Sequence, residues 1–239
     1  MKIIAHRGVS SLAPENTLAA FKKTAELGFN WFEIDVQLTA DKVPVVFHDK
    51  KLNRCTNGNG LISEIELHAL RSLDAGSWFH PDFSDQKIPT LYETLLLAKT
   101  LNLNINIELK LYPEDDPFEL CQQVSQVIEY SNIPLSSLII SSFNFDAIAA
   151  MQQLQPMIRR GLLWGKIPNN ALSFMASLEA YSVHCNYKYL NEKTAKRIKQ
   201  NNYKLFCFTV NDPDKMNELK RWGVDKIFSD LPKTLMAIT

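Results

Sequence analysis

Apolar and polar residues alternate along this chain with two periods, and the two periods take turns. Runs of period two, which send successive side chains to opposite faces of a strand, begin at Ile3, Phe32, Asn104, Ser137, Ile158, Tyr181, Tyr203 and Lys226. Between most of them lie helix-period segments with recognisable ends. Pro14 to Gly28 reads as a helix, with proline early and glycine at the close. Thr90 and Glu93 form a capping box opening a helix to about Leu101, and another helix covers roughly 116 to 131. Asn144 caps the next, a weaker one lies near 170 to 178, and one begins near Asn191. Asp212 caps the last of these, with Pro213 at its first position. Eight strands alternating with helices predict an α/β fold, a closed TIM (β/α)8 barrel. An open doubly wound sheet is the alternative, but no glycine-rich dinucleotide loop follows the first strand.

Two places break the rhythm. Residues 38 to 43 are too few for a parallel crossover, so Pro44 to His48 is expected to return antiparallel to the second strand. With the reversal centred on Asp41 and Lys42, Asp35 falls opposite His48. Residues 49 to 88 then form a small insertion after this hairpin. It holds the turn-rich Asn57 to Gly60, a capping box at Ser63 and Glu66 opening a short helix, and the aromatics Trp78, Phe79 and Phe83. The expected organisation is one domain over 1–239 with an inserted cap subdomain at about 49–88.

Composition narrows the partners. Acidic and basic side chains balance at 26 each, for a formal charge of zero. Bulk charge therefore gives no reason to expect a nucleic-acid partner. The chain enters a strand from Met1 without a long apolar run, so neither signal peptide nor stable membrane insertion is expected and a cytoplasmic home follows. Cys55, Cys121, Cys185 and Cys207 are scattered and read as reduced packing residues.

In a barrel of this kind the chemistry gathers at the C-terminal ends of the strands. Those ends carry His6 and Arg7, Glu33 and Asp35, Glu108 and Lys110, Ser141 and Ser142, Trp164, His184, Thr209 to Asn211, and Ser229 with Asp230. Glu33 and Asp35 share a strand face where apolar groups would normally sit, and two like charges there call for a cation. With Glu108 they make an oxygen-rich site suited to one hard divalent cation, Mg²⁺ or Ca²⁺. Arg7 and Lys110 can bind an anion, most simply a phosphate ester, and His6 with His48 can move protons near neutral pH. Together they describe metal-assisted phosphoryl transfer to water. A serine nucleophile at Ser141 or Ser142 lacks the G-x-S-x-G turn.

The ordered motifs carry a resemblance. His6-Arg-Gly8, Pro14-Glu-Asn-Thr17, Glu33-Ile-Asp35, Thr39-Ala-Asp41, Pro44 to Asp49 and Ile107-Glu-Leu-Lys110 resemble the motif set of the glycerophosphodiester phosphodiesterase family. The likeness continues through Leu73 to Gly76, Ile88 to Leu91 and Thr209-Val-Asn211. It implies a TIM barrel hydrolysing a small-molecule glycerophosphodiester to sn-glycerol 3-phosphate and an alcohol. By the same match His6 and His48 are the catalytic pair, Glu33, Asp35 and Glu108 the metal ligands, and Arg7 and Lys110 the phosphate contacts. Phe208 stands where many relatives carry Trp, and Trp164, His184, Phe208 and Asn211 are candidates for the substrate pocket. A histidine on an apolar strand is more often satisfied in the core, and His184 suits the core better than the pocket. Glu15 and Asn16 read as fixing the first helix, and Trp78 with Phe79 either roofs the pocket or packs the insertion onto the barrel. The alternatives are a lysophospholipase D-like phosphodiesterase and a non-catalytic phosphodiester-binding barrel.

Overall fold

The strands predicted by alternation pair side by side and close on themselves. A computed structural model describes residues 1–236; residues 237–239, the end of the expected domain, lie outside the described residues. The strands are β1 (Lys2–Ala5), β2 (Trp31–Leu38), β3 (Pro44–Val46), β4 (Asn104–Leu109), β5 (Leu138–Ser142), β6 (Arg159–Trp164), β7 (Ser182–Asn186), β8 (Lys204–Phe208) and β9 (Lys226–Ser229). Their order is β1-β9-β8-β7-β6-β5-β4-β2-β3, and β1 also pairs with β2, so all but β3 form a closed parallel barrel. Helices α1 (Leu18–Glu26), α2 (Leu67–Leu70), α3 (Leu91–Thr100), α4 (Pro117–Ser131), α5 (Phe145–Leu154), α6 (Ala171–Ser177), α7 (Glu192–Gln200), α8 (Pro213–Arg221) and α9 (Pro232–Met236) follow in chain order. This is the TIM barrel expected from the pattern. No described helix is long and apolar enough to cross a membrane.

The core has three parts. The largest lies between strands and helices, where strand residues such as Ile34, Ile107, Ile140 and Leu205 meet helix residues such as Phe21, Leu95, Val124 and Ile198. A second, inside the barrel, stacks Ile4, Trp31, Ile139, Phe206 and Phe228, so the barrel is filled and is not a pore. The third gathers Val45, Phe47, Leu52, Ile62, Leu70 and Ile88, giving residues 49–88 an apolar centre of their own against the hairpin. All four cysteines are buried and free, as their scattered spacing predicts.

Several local expectations hold and some shift. The Thr90 capping box is complete, with Glu93 N donating to Thr90 Oγ1 and Thr90 N to Glu93 Oε2. Asn144 and Asp212 cap as predicted, and Asn191 caps the helix expected to begin near it. The first helix starts later than Pro14, because Asn16 adopts a left-handed φ of 56° and Thr17 supplies the cap. In the hairpin Val36 pairs with Val46 and Leu38 with Pro44, so Asp35 lies opposite Phe47 rather than His48. The turn closes with Lys42 at φ 62°, one residue short of the symmetry assumed from sequence. Ser63 and Glu66 make no capping box; Ser63 sits in a 3₁₀ turn, and Leu67 N donates instead to Asp41 Oδ1.

Candidate active site

Strand parity delivers the acids. Glu33, Asp35 and Glu108 present carboxylate oxygens within 4.8 Å of one another at the C-terminal mouth of the barrel. Glu33 and Asp35 are almost wholly buried, so water does little to separate their charges. Arg7 and Lys110 stand on either side of Asp35, with Arg7 Nε at 3.4 Å and Lys110 Nζ at 3.1 Å. Lys110 also donates to Glu108 Oε1 at 2.8 Å, and Asn16 Nδ2 to Asp35 Oδ2 at 3.0 Å.

The two strand acids are thereby driven apart. Burial opposes ionisation of Asp35, but Lys110 and Arg7 outweigh it and hold that carboxyl far below the usual range. For Glu33 burial, then repulsion by Asp35, outweighs the pull of His6 and Arg7 and pushes its carboxyl well up. Its Oε1 is buried without a hydrogen-bond partner, and so is the neighbouring Asn106 Oδ1. A buried acceptor left unmatched is costly, and a cluster of such oxygens fits a hard divalent cation.

Both histidines are oriented by aspartates. His6 Nδ1 lies 2.6 Å from Asp230 Oδ1, and His48 Nδ1 lies 2.7 Å from Asp49 Oδ1. An ionised carboxylate only accepts, so each ring carries its proton on Nδ1 and leaves Nε2 for the pocket. His6 Nε2 is 3.9 Å from Glu33 Oε2. Burial opposes protonation of His6, yet Asp230 and Glu33 overcome it and raise its affinity for a proton. His48 lies past the last ladder pair of the hairpin, and other groups fix it there. Gln37 Nε2 donates to the carbonyls of Phe47 and Asp49 on either side, and the Tyr112 hydroxyl donates to the His48 carbonyl.

The backbone at Arg7 is part of the device. Arg7 takes φ 57° and Gly8 φ 78°, a turn that aims Arg7 N at Glu33 Oε2, 3.0 Å away. A Cβ on Gly8 would lie 2.7 Å from the backbone of Ala20, so only glycine lets the first loop lie against α1. Left-handed backbone at a non-glycine residue costs on the order of 1 kcal/mol and persists where surroundings hold it.

Residues left unassigned by sequence tie these parts together. Arg54, in the insertion, donates to both oxygens of Glu15 at 2.7 Å and to both oxygens of Asp49 at 2.6 and 2.9 Å. Glu15 in turn accepts from Arg7 Nη1 at 2.7 Å. One guanidinium therefore braces the partner of Arg7 and the partner of His48. Nothing in the periodicity singles out Arg54. Glu15 and Asn16 do more than fix a helix, and Asp230, noted only as a strand-end residue, turns out to hold His6.

The acids and histidines open onto a cavity of about 240 Å³. Its polar side is formed by the residues above, and its apolar side by Phe143, Leu163, Phe208 and Phe228. His184 lies on the floor, wholly buried, stacked 4.7 Å from Phe206 and 2.9 Å from Ser182 Oγ. Burial drives its pKa down to about 3, so it is a neutral ring. Gly161 makes room for it, since a Cβ there would come within 2.6 Å of His184 Nε2. Trp164 does not line the cavity, because the pleat turns Leu163 inward and sends Trp164 out against Phe145. Asn211 also stays out of the wall; it donates to Asp230 Oδ2 at 2.9 Å and accepts from Asp230 N and Ser229 Oγ. Trp78, Phe79 and Phe83 stack edge to face with one another within the insertion and leave the cavity unroofed.

Comparison with known proteins agrees with this geometry. Residues 6–234 match the sequence model of the glycerophosphoryl diester phosphodiesterase family. A glycerophosphodiester phosphodiesterase of Caldanaerobacter subterraneus is 37% identical over 238 residues, spanning 98% of this chain and 96% of its own. A Bacillus altitudinis protein of the same description is 32% identical, with 99% and 97% covered. Among solved structures, an Oleispira antarctica phosphodiesterase in complex with the product sn-glycerol-3-phosphate superposes with a TM-score of 0.95 at 35% identity, covering 99% of this chain and 96% of that one.

Proposed function

Because the chain belongs to the glycerophosphoryl diester phosphodiesterase family and is thus a phosphoric diester hydrolase, we propose how it works: it cleaves glycerophosphodiesters to sn-glycerol 3-phosphate and an alcohol, using one divalent cation and two histidines. The observation that carries the reading is the pair of aspartate-held imidazoles facing the three carboxylates across one cavity. The product bound by the Oleispira relative supports the same substrate class.

Glu33, Asp35 and Glu108 would hold the cation, Mg²⁺ or Ca²⁺, and the unmatched Oε1 of Glu33 is the atom that most needs it. When bound, the ion polarises a phosphoryl oxygen and offsets charge that builds there during attack. Arg7 and Lys110 contact the non-bridging oxygens, Arg7 by its planar fork and Lys110 as a point charge. His6 and His48 divide the proton transfers. One Nε2 takes the proton from the attacking oxygen as the new P–O bond forms; the other gives a proton to the departing alcohol as the old bond breaks. Asp49 and Asp230 keep both rings in the tautomer this needs and stabilise each imidazolium. Phe143 and Phe208, 6.0 Å apart, form a wall that excludes water beside the glycerol carbons. The segment 49–88 acts as an inserted cap subdomain whose contribution to catalysis is Arg54.

Release of glycerol 3-phosphate from glycerophosphocholine, with EDTA and after restoring Mg²⁺ or Ca²⁺, tests the scheme. Turnover that is lost with chelator and regained with the ion is expected. Full activity in EDTA would sink the metal assignment, and no release from any glycerophosphodiester would sink the substrate class.

A further inference from the structure

The opposite mouth of the barrel carries a second concentration of charge, of one sign. Lys226 begins β9 and points inward; it is 9% exposed. Its Nζ sits 3.1 Å from the centroid of the Trp31 ring and 5.2 Å from that of Phe206. Among the described residues no carboxylate lies within ion-pair distance of it and it makes no hydrogen bond. Its neighbours are cations. Lys2 pairs with it in the β1–β9 register, and the Arg159 guanidinium lies over the faces of Trp31 and Tyr181 at 5.7 and 5.3 Å. Asp225 is the one acid in the wall of this depression, and it is already committed. It lies 2.5 Å from Lys199 Nζ and 3.4 Å from Lys204 Nζ, and it accepts from Leu205 N.

Cross-strand like charges and a buried ammonium without an acid are both unfavourable. Burial, then Arg159 and Lys2, pull the Lys226 pKa down to about 7, against a smaller opposing pull from Asp225. Aromatic faces attract a cation but leave its charge uncompensated. The cations border an open depression of about 450 Å³ at the N-terminal end of the barrel. Ile4, Ile139, Phe206 and Phe228 fill the barrel between it and the catalytic mouth. In a chain of zero formal charge this is a local excess, and what it lacks is a compact anion able to face several donors at once.

We propose that the N-terminal mouth of the barrel is an anion site for a small, multiply charged phosphate, held by Lys226, Lys2 and Arg159 and separate from the catalytic cavity. A tetrahedral oxyanion seated there supplies the acceptor that Lys226 lacks and separates the paired Lys2 and Lys226.

The four tryptophans allow a readout confined to this mouth. Trp31 lies beneath Lys226, and no tryptophan lines the catalytic cavity. In ¹⁵N-labelled protein the Trp31 indole N–H signal, assigned with Trp31→Phe, is followed as inorganic phosphate is added, against potassium chloride at equal ionic strength. A saturable shift with phosphate and none with chloride is expected. Lys226→Met should weaken that binding at least tenfold, and Lys2→Ala, an exposed change that leaves folding intact, several-fold. Both variants should hydrolyse glycerophosphocholine at the wild-type rate. A Trp31 signal that ignores phosphate, or one that titrates identically in wild type and Lys2→Ala, overturns the proposal.

Discussion

The two mouths of this barrel solve the problem of buried charge in opposite ways. At the C-terminal mouth every ionised side chain has a partner of opposite sign: Asp35 has Arg7 and Lys110, Glu15 and Asp49 share Arg54, and Asp230 has His6. Glu33 is the least served: its Oε2 accepts from Arg7 N and lies 3.9 Å from His6 Nε2, while its Oε1 is buried without a partner. At the N-terminal mouth Lys226 has aromatic rings and other cations around it, and Asp225, the acid that pulls on it, is already bound to Lys199 and Lys204. A charge network closed on itself fixes geometry, which is what proton transfer needs. One left open is a binding site, because the missing charge must come from outside.

The largest loss is expected on deleting a proton carrier. His48→Ala should lower kcat by about 10³-fold or more, in line with loss of a general acid or base. Thermal unfolding and Mg²⁺ affinity should stay near wild type, because Asp49 keeps Arg54; calorimetry and circular dichroism check this, and an active variant removes His48 from the mechanism. Next comes the brace between the two halves of the catalytic mouth. Arg54→Met should cost about 10- to 100-fold in kcat, the range seen when an orienting partner is lost. The effect should fall on kcat more than on KM and should move the acidic limb of the pH–rate profile, since Asp49 would lose its principal counter-charge. An unchanged profile with a lowered melting temperature would reduce Arg54 to a structural residue.

The smallest effect sharpens the contrast from the other end. Folded protein releases the Lys226 proton near pH 7, whereas an unfolded lysine keeps it to about 10.4. Between those values the unfolded chain binds more protons, so this group's contribution to stability rises with pH and is lost as pH falls toward 7. The slope is at most about 1.4 kcal/mol per pH unit. Urea unfolding of wild type and Lys226→Met from pH 7 to 9.5 measures it. The difference between them should shrink as pH rises, and parallel curves would refute the depressed pKa.

The sequence made the repeating parts legible and left the meeting points hidden. Alternation located each barrel strand to within a residue or two, because a buried pleat leaves little freedom in where apolar side chains go. Glu33, Asp35, Glu108 and Lys110 were visible for the same reason, as polar residues at apolar positions. Pleat parity also explains the failures. Trp164 ends its strand on the outer face, and the hairpin pairs Asp35 with Phe47 because turn geometry at Lys42 set the register. Arg54 carries no periodic signal, and Asp230 shows only as one polar residue among several at the strand ends. Arg54 reaches Asp49 five residues back but also Glu15 39 residues away, and Asp230 meets His6 across 224 residues, contacts that only the folded chain brings together.

That last separation has a consequence for when the enzyme comes alive. His6 belongs to the first loop and Asp230 to the loop after the last barrel strand, and the two meet across the seam where β9 joins β1. During translation the ring that carries His6 emerges 224 residues ahead of Asp230 and waits that long for its orienting carboxylate. If His6 moves a proton as proposed, competence waits for the seam between β9 and β1 to close, and a chain arrested or clipped before β9 holds most of the site residues without the carboxylate that orients His6.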